Sequence, residues 1–289
     1  MIRKLCAFLL VVIVLMVVAK TAFTLRGSRS HAPSAIQTAQ AETETIAPVV
    51  YYTSWVPYAI ENELTNRNGY LLDLVRAVFP RARFVRLYGD TSVVAEALEK
   101  DPFGVSIMQG DHYTLAKFPG APKPVLVDNV VVHTMRTNSW NYTGPKSLEK
   151  LRLVFQDDYL ICKELDKHAK ANPDKVHICK TDDPAYGDVA GEVIAGRADG
   201  FVSTKVLQSD SRSIGFTAGK MLVLRASKPI GMVEIFFKVS NRDPKLAGTI
   251  LEAWERGLKR IEKSGELARL RDYYGITGEK ILSAPKSAE

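Results

Sequence analysis

Three short segments of the sequence carry acidic or aromatic side chains. They are Trp55 with Tyr58, Asp111 with Tyr113, and the adjacent pair Asp157 and Asp158. If these side chains meet, carboxylates beside aromatic faces suit a cationic or polyhydroxyl ligand better than an anion. Each segment also has a plainer interpretation, because aromatic rings can pack into a core and aspartates can cap the N-terminus of a helix.

The sequence offers little that could act as a catalytic centre. It contains no nucleophile elbow, H-E-x-x-H pattern, phosphate-binding loop or dinucleotide fingerprint. The five histidines are scattered along the chain; they are His31, His112, His133, His168 and His177. His112 lies beside Asp111, but one histidine with one aspartate is weak evidence for acid–base catalysis. We interpret both as polar residues of a loop. We therefore predict no enzyme, no metal ion and no cofactor.

The three cysteines divide between two regions of the chain. Cys6 lies in an apolar N-terminal segment, whereas Cys162 and Cys179 lie in the body of the sequence. In an oxidising compartment these two would form a disulfide, worth about 3 kcal/mol in the chain-entropy model. The alternative is two separately buried thiols. The neighbouring His168 and His177 do not complete any familiar metal-ligand spacing.

The net charge of +7 is concentrated at the start of the 289-residue chain. Arg3, Lys4, Lys20 and Arg26 account for four of the seven charges, and residues 1–26 contain no acid. The rest of the chain is close to neutral and lacks the clustered basic face that nucleic-acid binding needs. A content of 46% hydrophobic and 25% charged residues excludes a disordered or collagen-like chain.

An unbroken apolar run from Leu5 to Ala19 follows the first basic residues. This pattern is typical of an export signal, in which the preceding positive charges stay inside. If Lys20 extends its amine to the interface, the span reaches Leu25 and is long enough to cross a bilayer. Residues 1–26 therefore predict an uncleaved membrane anchor or a cleaved signal peptide, and a buried soluble helix is the remaining alternative.

The body of the chain alternates between strand and helix patterns after a small, polar tether at residues 27–47. The predicted strands cover 49–52, 83–87, 105–108, 125–135, 151–155, 176–179, 201–202, 221–224 and 232–239. The predicted helices cover 71–79, 93–98, 158–171, 189–194, 245–263 and 265–274. The alternation predicts an α/β fold with two lobes, each a mostly parallel sheet flanked by helices.

Several motifs occur in a fixed order along residues 48–275. They are YTSWVPY at Tyr52–Tyr58, NGYLLDL at Asn68–Leu74, SLEKLRLV at Ser147–Val154, IAGRADG at Ile194–Gly200 and KSGELARLRDYYG at Lys263–Gly275. Together they resemble the bacterial extracellular solute-binding proteins of family 3, the polar-amino-acid branch of ABC-transporter substrate-binding proteins. That resemblance implies the two-lobed periplasmic-binding-protein fold of type II.

The resemblance also implies how the chain is divided. Lobe 1 would comprise 48–136 and 225–275, lobe 2 would comprise 137–224, a tail would cover 276–289, and a hinge would lie near 134–136 and 225–227. The ligand would bind between the lobes at the carboxyl ends of their strands, where α/β sheets generally place ligands. Closure of the lobes over the ligand would be the functional motion.

The chain departs from this family where its members hold an α-amino acid. Where the family has an arginine after the third strand, this chain has Met108–Thr114, and no arginine follows before Arg136. Gln156–Tyr159 replaces a G-T-T turn, and Ser203–Thr204 replaces the aspartate that takes the amine. We therefore do not predict an α-amino acid as the ligand. The predicted ligand-binding residues are Trp55, Tyr58, Gln109, Asp111, Tyr113, Asp157, Asp158 and Thr204.

The resemblance implies a periplasmic solute-binding protein, and the acidic and aromatic residues favour a small polar, cationic solute. Its partners would be an ABC permease or a membrane sensor, with no nucleic acid. We expect a monomer in the periplasm, tethered to the inner membrane by residues 5–25 or secreted after signal cleavage. One alternative is a dehydratase-like enzyme on the same fold, in which His112 and Asp111 move protons. Another is a degenerate binding module that contacts a protein partner.

Overall fold

Nine strands and their flanking helices form in the part of the chain that the structure describes. The computed structural model describes residues 46–55, 58–59, 68–109, 114–156, 162–179, 189–205 and 223–276. The strands are β1 (Val49–Tyr52), β2 (Arg83–Arg86), β3 (Gly104–Gln109), β4 (Leu126–Met135), β5 (Leu153–Gln156), β6 (Val176–Cys179), β7 (Gly200–Thr204), β8 (Leu224–Ala226) and β9 (Gly231–Val239). The α-helices are α1 (Tyr70–Val78), α2 (Thr91–Lys100), α3 (Lys163–Ala171), α4 (Val189–Ile194), α5 (Pro244–Lys263) and α6 (Glu266–Tyr273). Short 3₁₀ helices cover Pro145–Lys150 and Pro173–Lys175.

These strands form one curled sheet in the order β2-β1-β3-β9-β4-β7-β5-β6, with β8 also paired to β4. We call β2, β1, β3 and β9 the first half and β8, β7, β5 and β6 the second half; β4 belongs to both. Each half is parallel at its outer end, but β9 and β4 pair antiparallel with their neighbours. The prediction of mostly parallel sheets is wrong at the centre, because β4 leads the chain out of the first half and β8 and β9 lead it back in the opposite direction.

The first half has a large apolar core beneath helix α5. The helix begins at Pro244 after Asp243, whose carboxylate accepts hydrogen bonds from the backbone N–H groups of Lys245 and Leu246 at 3.0 and 3.1 Å. Its buried side chains recur at helical spacing and include Ile250, Ala253, Trp254 and Ile261. Trp254 stacks on Phe237 of β9 with ring centroids 4.1 Å apart, and both rings are fully buried.

A smaller apolar cluster lies on the opposite face of the second half. It contains Val154, Ala190, Val193, Ala198, Phe201 and Leu224. In β5, Val154 belongs to this cluster, whereas Leu153 and Phe155 belong to the large core. Because successive side chains of a strand point to opposite faces of the sheet, the two clusters lie on opposite faces. The large core also includes residues of both halves.

The predicted disulfide between Cys162 and Cys179 is absent, and both residues are present as thiols. Cys162 packs against the large core, whereas Cys179 packs against the smaller cluster on the other face of the sheet. The sheet therefore separates the two sulfur atoms. Burial raises the pKa of the Cys162 thiol to about 11. Separately packed thiols were the alternative that the sequence left open.

Several predictions fall wholly or partly outside the described residues. The export segment 1–26 lies outside them, as do nearly all of the tether and the tail, so the anchor and the signal peptide stay predictions. Among the helices that the structure does describe, none combines the length and hydropathy needed to cross a membrane. The predicted helix 158–171 is observed as Lys163–Ala171, and the predicted strand 221–224 as Leu224–Ala226, next to residues that are not described.

Candidate functional site

Half of the predicted ligand-binding residues lie in the described part of the chain. They are Trp55, Tyr58, Gln109 and Thr204, with Gln109 described by its backbone alone. Asp111, Tyr113, Asp157 and Asp158 lie outside it, as does His112, and their roles stay predictions. Gln109 is the last residue of β3, which runs parallel to β1, so the loops after both strands leave the same edge of the sheet.

A compact turn after β1 positions Tyr58. The backbone N–H of Trp55 donates to the carbonyl of Ala59, and the N–H groups of Tyr58 and Ala59 both donate to the carbonyl of Trp55, each at 2.7 Å. The carbonyl of Tyr58 then accepts from Leu71 in the first turn of α1. At Gly69, where φ is +82°, an added Cβ would lie 2.3 Å from the carbonyl oxygen of Tyr58. Only glycine permits this approach, so Gly69 fixes α1 against the turn.

The hydroxyl of Tyr58 joins side chains from three elements. Its Oη lies 2.5 Å from Oδ2 of Asp128 on β4 and 2.5 Å from Oγ1 of Thr204 at the end of β7. Tyr58 and Thr204 have no exposed surface, and Asp128 is 6% exposed. The structure thus brings together Tyr58 and Thr204, two of the predicted residues. It also places beside them the carboxylate of Asp128, which was not predicted.

The hydrogen-bond direction in this triad follows from the number of protons. A carboxylate can only accept, so Tyr58 donates its single hydroxyl proton to Asp128. The Oγ1 of Thr204 must then donate to the Tyr58 oxygen. The other carboxylate oxygen, Oδ1, accepts from the backbone N–H of Asn129 at 2.7 Å. Both oxygens of Asp128 therefore face donors, as buried polar groups require.

Strand register explains why Asp128 and Thr204 face the same space. Val130 of β4 pairs with Thr204 of β7, and Asp128 precedes Val130 by two residues on the same face of β4. Asp128 lies beyond the end of β7 and alongside β9, where its partner is Val233. The triad accordingly lies where β4 passes from the first half to the second.

An aromatic pair extends the triad toward solvent. The ring centroids of Trp55 and Tyr58 are 4.7 Å apart, with the planes tilted by 58°. Trp55 is only half-buried and packs against the large core, whereas Tyr58 is fully buried. A partly exposed indole beside a tyrosine that bonds a carboxylate is a combination that suits a cation.

A histidine occupies the opposite face of the sheet behind the triad. His133 of β4 is fully buried and stacks on Phe201 of β7, with ring centroids 4.8 Å apart and planes 18° apart. Burial lowers the pKa of His133 to about 4, so its ring is neutral at physiological pH. In the described part of the chain, no group of three or more His, Cys, Asp or Glu side chains could hold a metal ion.

Sequence reasoning missed Asp128, although a signal for it was present. Asp128 and Asn129 interrupt the strand pattern VLVDNVVVHTM, which is otherwise apolar before His133. A carboxylate inside a buried strand needs hydrogen-bonding partners, so this position marks a polar site within the core.

No family model matches the chain, and no curated protein matches it. Solved structures do match. An ancestral amino-acid-binding protein, described as a precursor of cyclohexadienyl dehydratase, is 18% identical with a TM-score of 0.58, covering 83% of this chain and 99% of its own. An ancestral arginine-binding protein bound to arginine is 14% identical with a TM-score of 0.61, covering 79% and 97%.

A third match is a histidine kinase sensor domain with similarity to periplasmic binding proteins. It is 16% identical with a TM-score of 0.60, and the match covers 81% of this chain and 97% of that one. Likenesses at such identities establish architecture, and they confirm the fold that the sequence motifs predict. The chain has the α/β fold of the periplasmic binding proteins.

Proposed function

We propose that this protein is an exported solute-binding protein whose two lobes close over a small polar solute. The observation that carries the proposal is the buried hydrogen bond between Tyr58 and Thr204. It joins the turn after β1, in the first half, to the end of β7, in the second half. Side chains of both halves thus converge at one point, as they must where two lobes enclose a ligand.

The hinge proposed near 134–136 and 225–227 is supported by a set of bonds between the two crossing segments. The Arg225 guanidinium donates to the carbonyl of Asn138 at 2.9 and 2.7 Å and also to the carbonyl of Trp140. The backbone N–H of Val132 donates to Oγ of Ser227 at 3.0 Å. These bonds hold the crossing segments together, so that lobe 1 (48–136 and 225–275) and lobe 2 (137–224) can rotate about a defined place.

The solute that we propose is polar and need not be an α-amino acid. Two structural neighbours are described as amino-acid-binding proteins, and one of them holds arginine. This chain has no arginine between Arg86 and Arg136, a stretch that includes the loop where the family holds the ligand carboxylate. The described site presents hydroxyl, carboxylate and indole groups in its place. We propose that binding serves uptake through an ABC permease or signalling through a membrane sensor, in the periplasm.

We propose binding rather than turnover, because the described residues that meet at the site form a hydrogen-bonded triad. The dehydratase alternative needs His112 and Asp111, which lie outside the described residues. The neighbour described as a dehydratase precursor is itself described as an amino-acid-binding protein. The triad of Tyr58, Asp128 and Thr204 joins the two halves directly. We propose that its hydrogen bonds exchange partners when the lobes open.

The proposal is tested with the full chain purified in detergent under native conditions. Native mass spectrometry should show a co-purified small molecule, and its removal should increase the radius of gyration measured by small-angle scattering. Conversion of that molecule on incubation would favour the enzyme alternative instead. An empty site together with no change of radius across a metabolite panel would contradict the proposal.

A pair of threonine variants gives the matched control. Thr204→Val keeps the shape of the side chain but removes the hydroxyl that bonds Tyr58, and it should release the co-purified molecule. Thr249 on α5 also donates its hydroxyl to a carbonyl, at 3.0 Å, but its side chain is exposed. Thr249→Val should retain the molecule. Equal retention by both variants would count against the site.

A further inference from the structure

We propose that Asp128 selects the charge of the solute, and that the solute is an organic cation carrying an amine or guanidine and no obligatory carboxylate. This inference rests on the proposed function and names the residue and the ligand chemistry of the same site. Neither the motifs nor the predicted ligand-binding residues include Asp128.

The first argument is the place of the carboxylate in the strand. Leu126, Val130 and Val132 share the face of β4 with Asp128, and all three are fully buried in the large core. Burying a carboxylate at such a position costs free energy. A buried carboxylate is therefore expected where hydrogen bonds satisfy it or where its charge serves binding. Here it lies between strands of both halves, which is where the proposed cleft closes.

The second argument is the direction of the hydrogen bonds. Thr204 donates to Tyr58, and Tyr58 donates to Asp128, so the triad ends on an acceptor. An ammonium or guanidinium carries only donors and can take the place of the Tyr58 hydroxyl on Oδ2. The bond from Tyr58 already has an ionised acceptor, and a cation in its place adds the Coulomb attraction of a full ion pair, which favours the exchange. An anion at the same place would meet the carboxylate with like charge.

The third argument is the aromatic wall beside the carboxylate. The rings of Trp55 and Tyr58 lie 4.7 Å apart, and Trp55 is the member with solvent access. Aromatic faces attract cations through the ring quadrupole, and guanidinium and ammonium groups are the usual partners. A cation held by Trp55 would bind Oδ2 of Asp128 in place of the Tyr58 hydroxyl.

The chain contains a second tyrosine–aspartate pair that serves as a control. Tyr51 donates its hydroxyl to Oδ2 of Asp101 at 2.9 Å. Tyr51 lies on the opposite face of β1 from Tyr52 and packs against a separate cluster around Leu98 and Phe118. Asp101→Asn therefore makes the same chemical change as Asp128→Asn, in the same half of the molecule but outside the triad.

The experiment compares four solutes by isothermal titration of the full chain in detergent, after any co-purified molecule has been removed. Agmatine is a cation without a carboxylate, and arginine adds a carboxylate. Citrulline keeps the α-ammonium and carboxylate of arginine, has zero net charge and replaces the guanidinium with a neutral urea, and glutarate is an anion. We expect agmatine to bind at least as tightly as arginine, citrulline to bind at least about tenfold more weakly than arginine, and glutarate not to bind.

The variants then assign the selectivity to one residue. Asp128→Asn should weaken agmatine binding by at least about tenfold and narrow the gap between agmatine and citrulline. Asp101→Asn should change agmatine binding by less than about twofold. If Asp128→Asn does not fold, the relative affinities of the unaltered chain for the four solutes test the proposal, because in that comparison only the solute changes.

The outcomes separate this inference from the proposed function. Tight binding of citrulline or glutarate, or unchanged agmatine affinity in Asp128→Asn, would overturn the role of Asp128 while leaving a solute-binding protein. A chain that neither co-purifies with nor responds to any small molecule would overturn both. In that case the triad would be a permanent bond between the two halves.

Discussion

Each half of this molecule is built around a pair of stacked rings, and the two pairs differ in chemistry. In the first half, Trp254 of α5 stacks on Phe237 of β9 with planes only 3° apart. In the second half, Phe201 of β7 stacks on His133 of β4. Both pairs are fully buried, but the second contains a ring that can take up a proton. The stacked pair of the first half should therefore be indifferent to pH, whereas that of the second should not.

This difference bears on the candidate site because β7 carries both Phe201 and Thr204. Acid that charges His133 would loosen the strand that holds one member of the triad. The first half, with its longer helix and larger apolar core, would remain the more stable platform for Tyr58. The solute-binding function proposed above requires the lobes to open and close, and the half that supplies Thr204 has the smaller apolar cluster.

The largest effect on stability should come from removing the Trp254 ring from its stack on Phe237. Trp254→Ala removes a fully buried indole and should lower the free energy of unfolding by about 4 kcal/mol. Trp254→Phe keeps a ring against Phe237 and should cost much less. Urea denaturation followed by circular dichroism measures both variants. A loss for Trp254→Ala no larger than that for Trp254→Phe would mean that the stack is not the centre of the first core.

The second effect is the loss of stability in acid that His133 predicts. The pKa of His133 is lowered from 6.5 to about 4 by burial, so the unfolded chain takes up the proton first as pH falls. Stability is unaffected above about pH 6.5, declines between pH 6.5 and 4, and has lost about 3 kcal/mol below that window. Urea midpoints at pH 7.5, 6, 5 and 4, values chosen to span about that range, measure the decline.

Two histidine variants isolate this contribution from the other groups that titrate in acid. His133→Phe keeps a stacked ring but removes the proton site, so its stability should fall less than that of the unaltered chain over the same window. His177 lies exposed on β6 in the same half, and His177→Phe should follow the unaltered chain. Parallel pH curves for His133→Phe and the unaltered chain would contradict the prediction.

A third, smaller effect concerns the segment that joins the two halves. Arg225 donates to the carbonyls of Asn138 and Trp140, and Arg225→Met leaves both without this donor. The expected cost is about 2 kcal/mol, because hydrogen bonds from a charged donor contribute more than neutral ones. Arg242 makes a single long bond of 3.3 Å to the carbonyl of Glu99 and is exposed. Arg242→Met should change stability by no more than about 0.5 kcal/mol.

The smallest expected effect is that of a reductant. Because Cys162 and Cys179 pack on opposite faces of the sheet, dithiothreitol should leave the thermal midpoint unchanged. A disulfide would have added about 3 kcal/mol in the chain-entropy model, so its reduction would be visible. Titration of thiols in the denatured, unreduced chain should find both Cys162 and Cys179. A midpoint that drops with dithiothreitol would restore the original disulfide prediction.

Much of the fold could be predicted from periodicity. The spacing of Leu71, Leu74, Val75 and Val78 predicted α1, and the stripe through Ile250, Trp254 and Ile261 predicted α5. Such patterns are local, because an element must present one apolar face whatever lies opposite. The antiparallel centre of the sheet was not predicted, since the pairing of β4 with β9 and β7 depends on residues far apart in the chain.

The candidate site could be predicted only in part, and for the same reason. Trp55, Tyr58 and Thr204 were identified from motifs, but the sequence could not show that Tyr58 and Thr204 share a hydrogen bond. Asp128 looked like an interruption of an apolar strand. Its role depends on the register of β4 against β7, which no local pattern contains.

The sequence by itself determined the order of strands and helices, the resemblance to periplasmic solute-binding proteins and the missing arginine of the amino-acid site. These follow from residue type and spacing along the chain. Only the tertiary structure decided that the two cysteines lie apart, that His133 is buried neutral, and that Asp128 completes the triad. Each of these depends on which face of the sheet a side chain occupies and on which side chains another segment places beside it. Those neighbours determine how far the side chain is buried and which hydrogen bonds it makes.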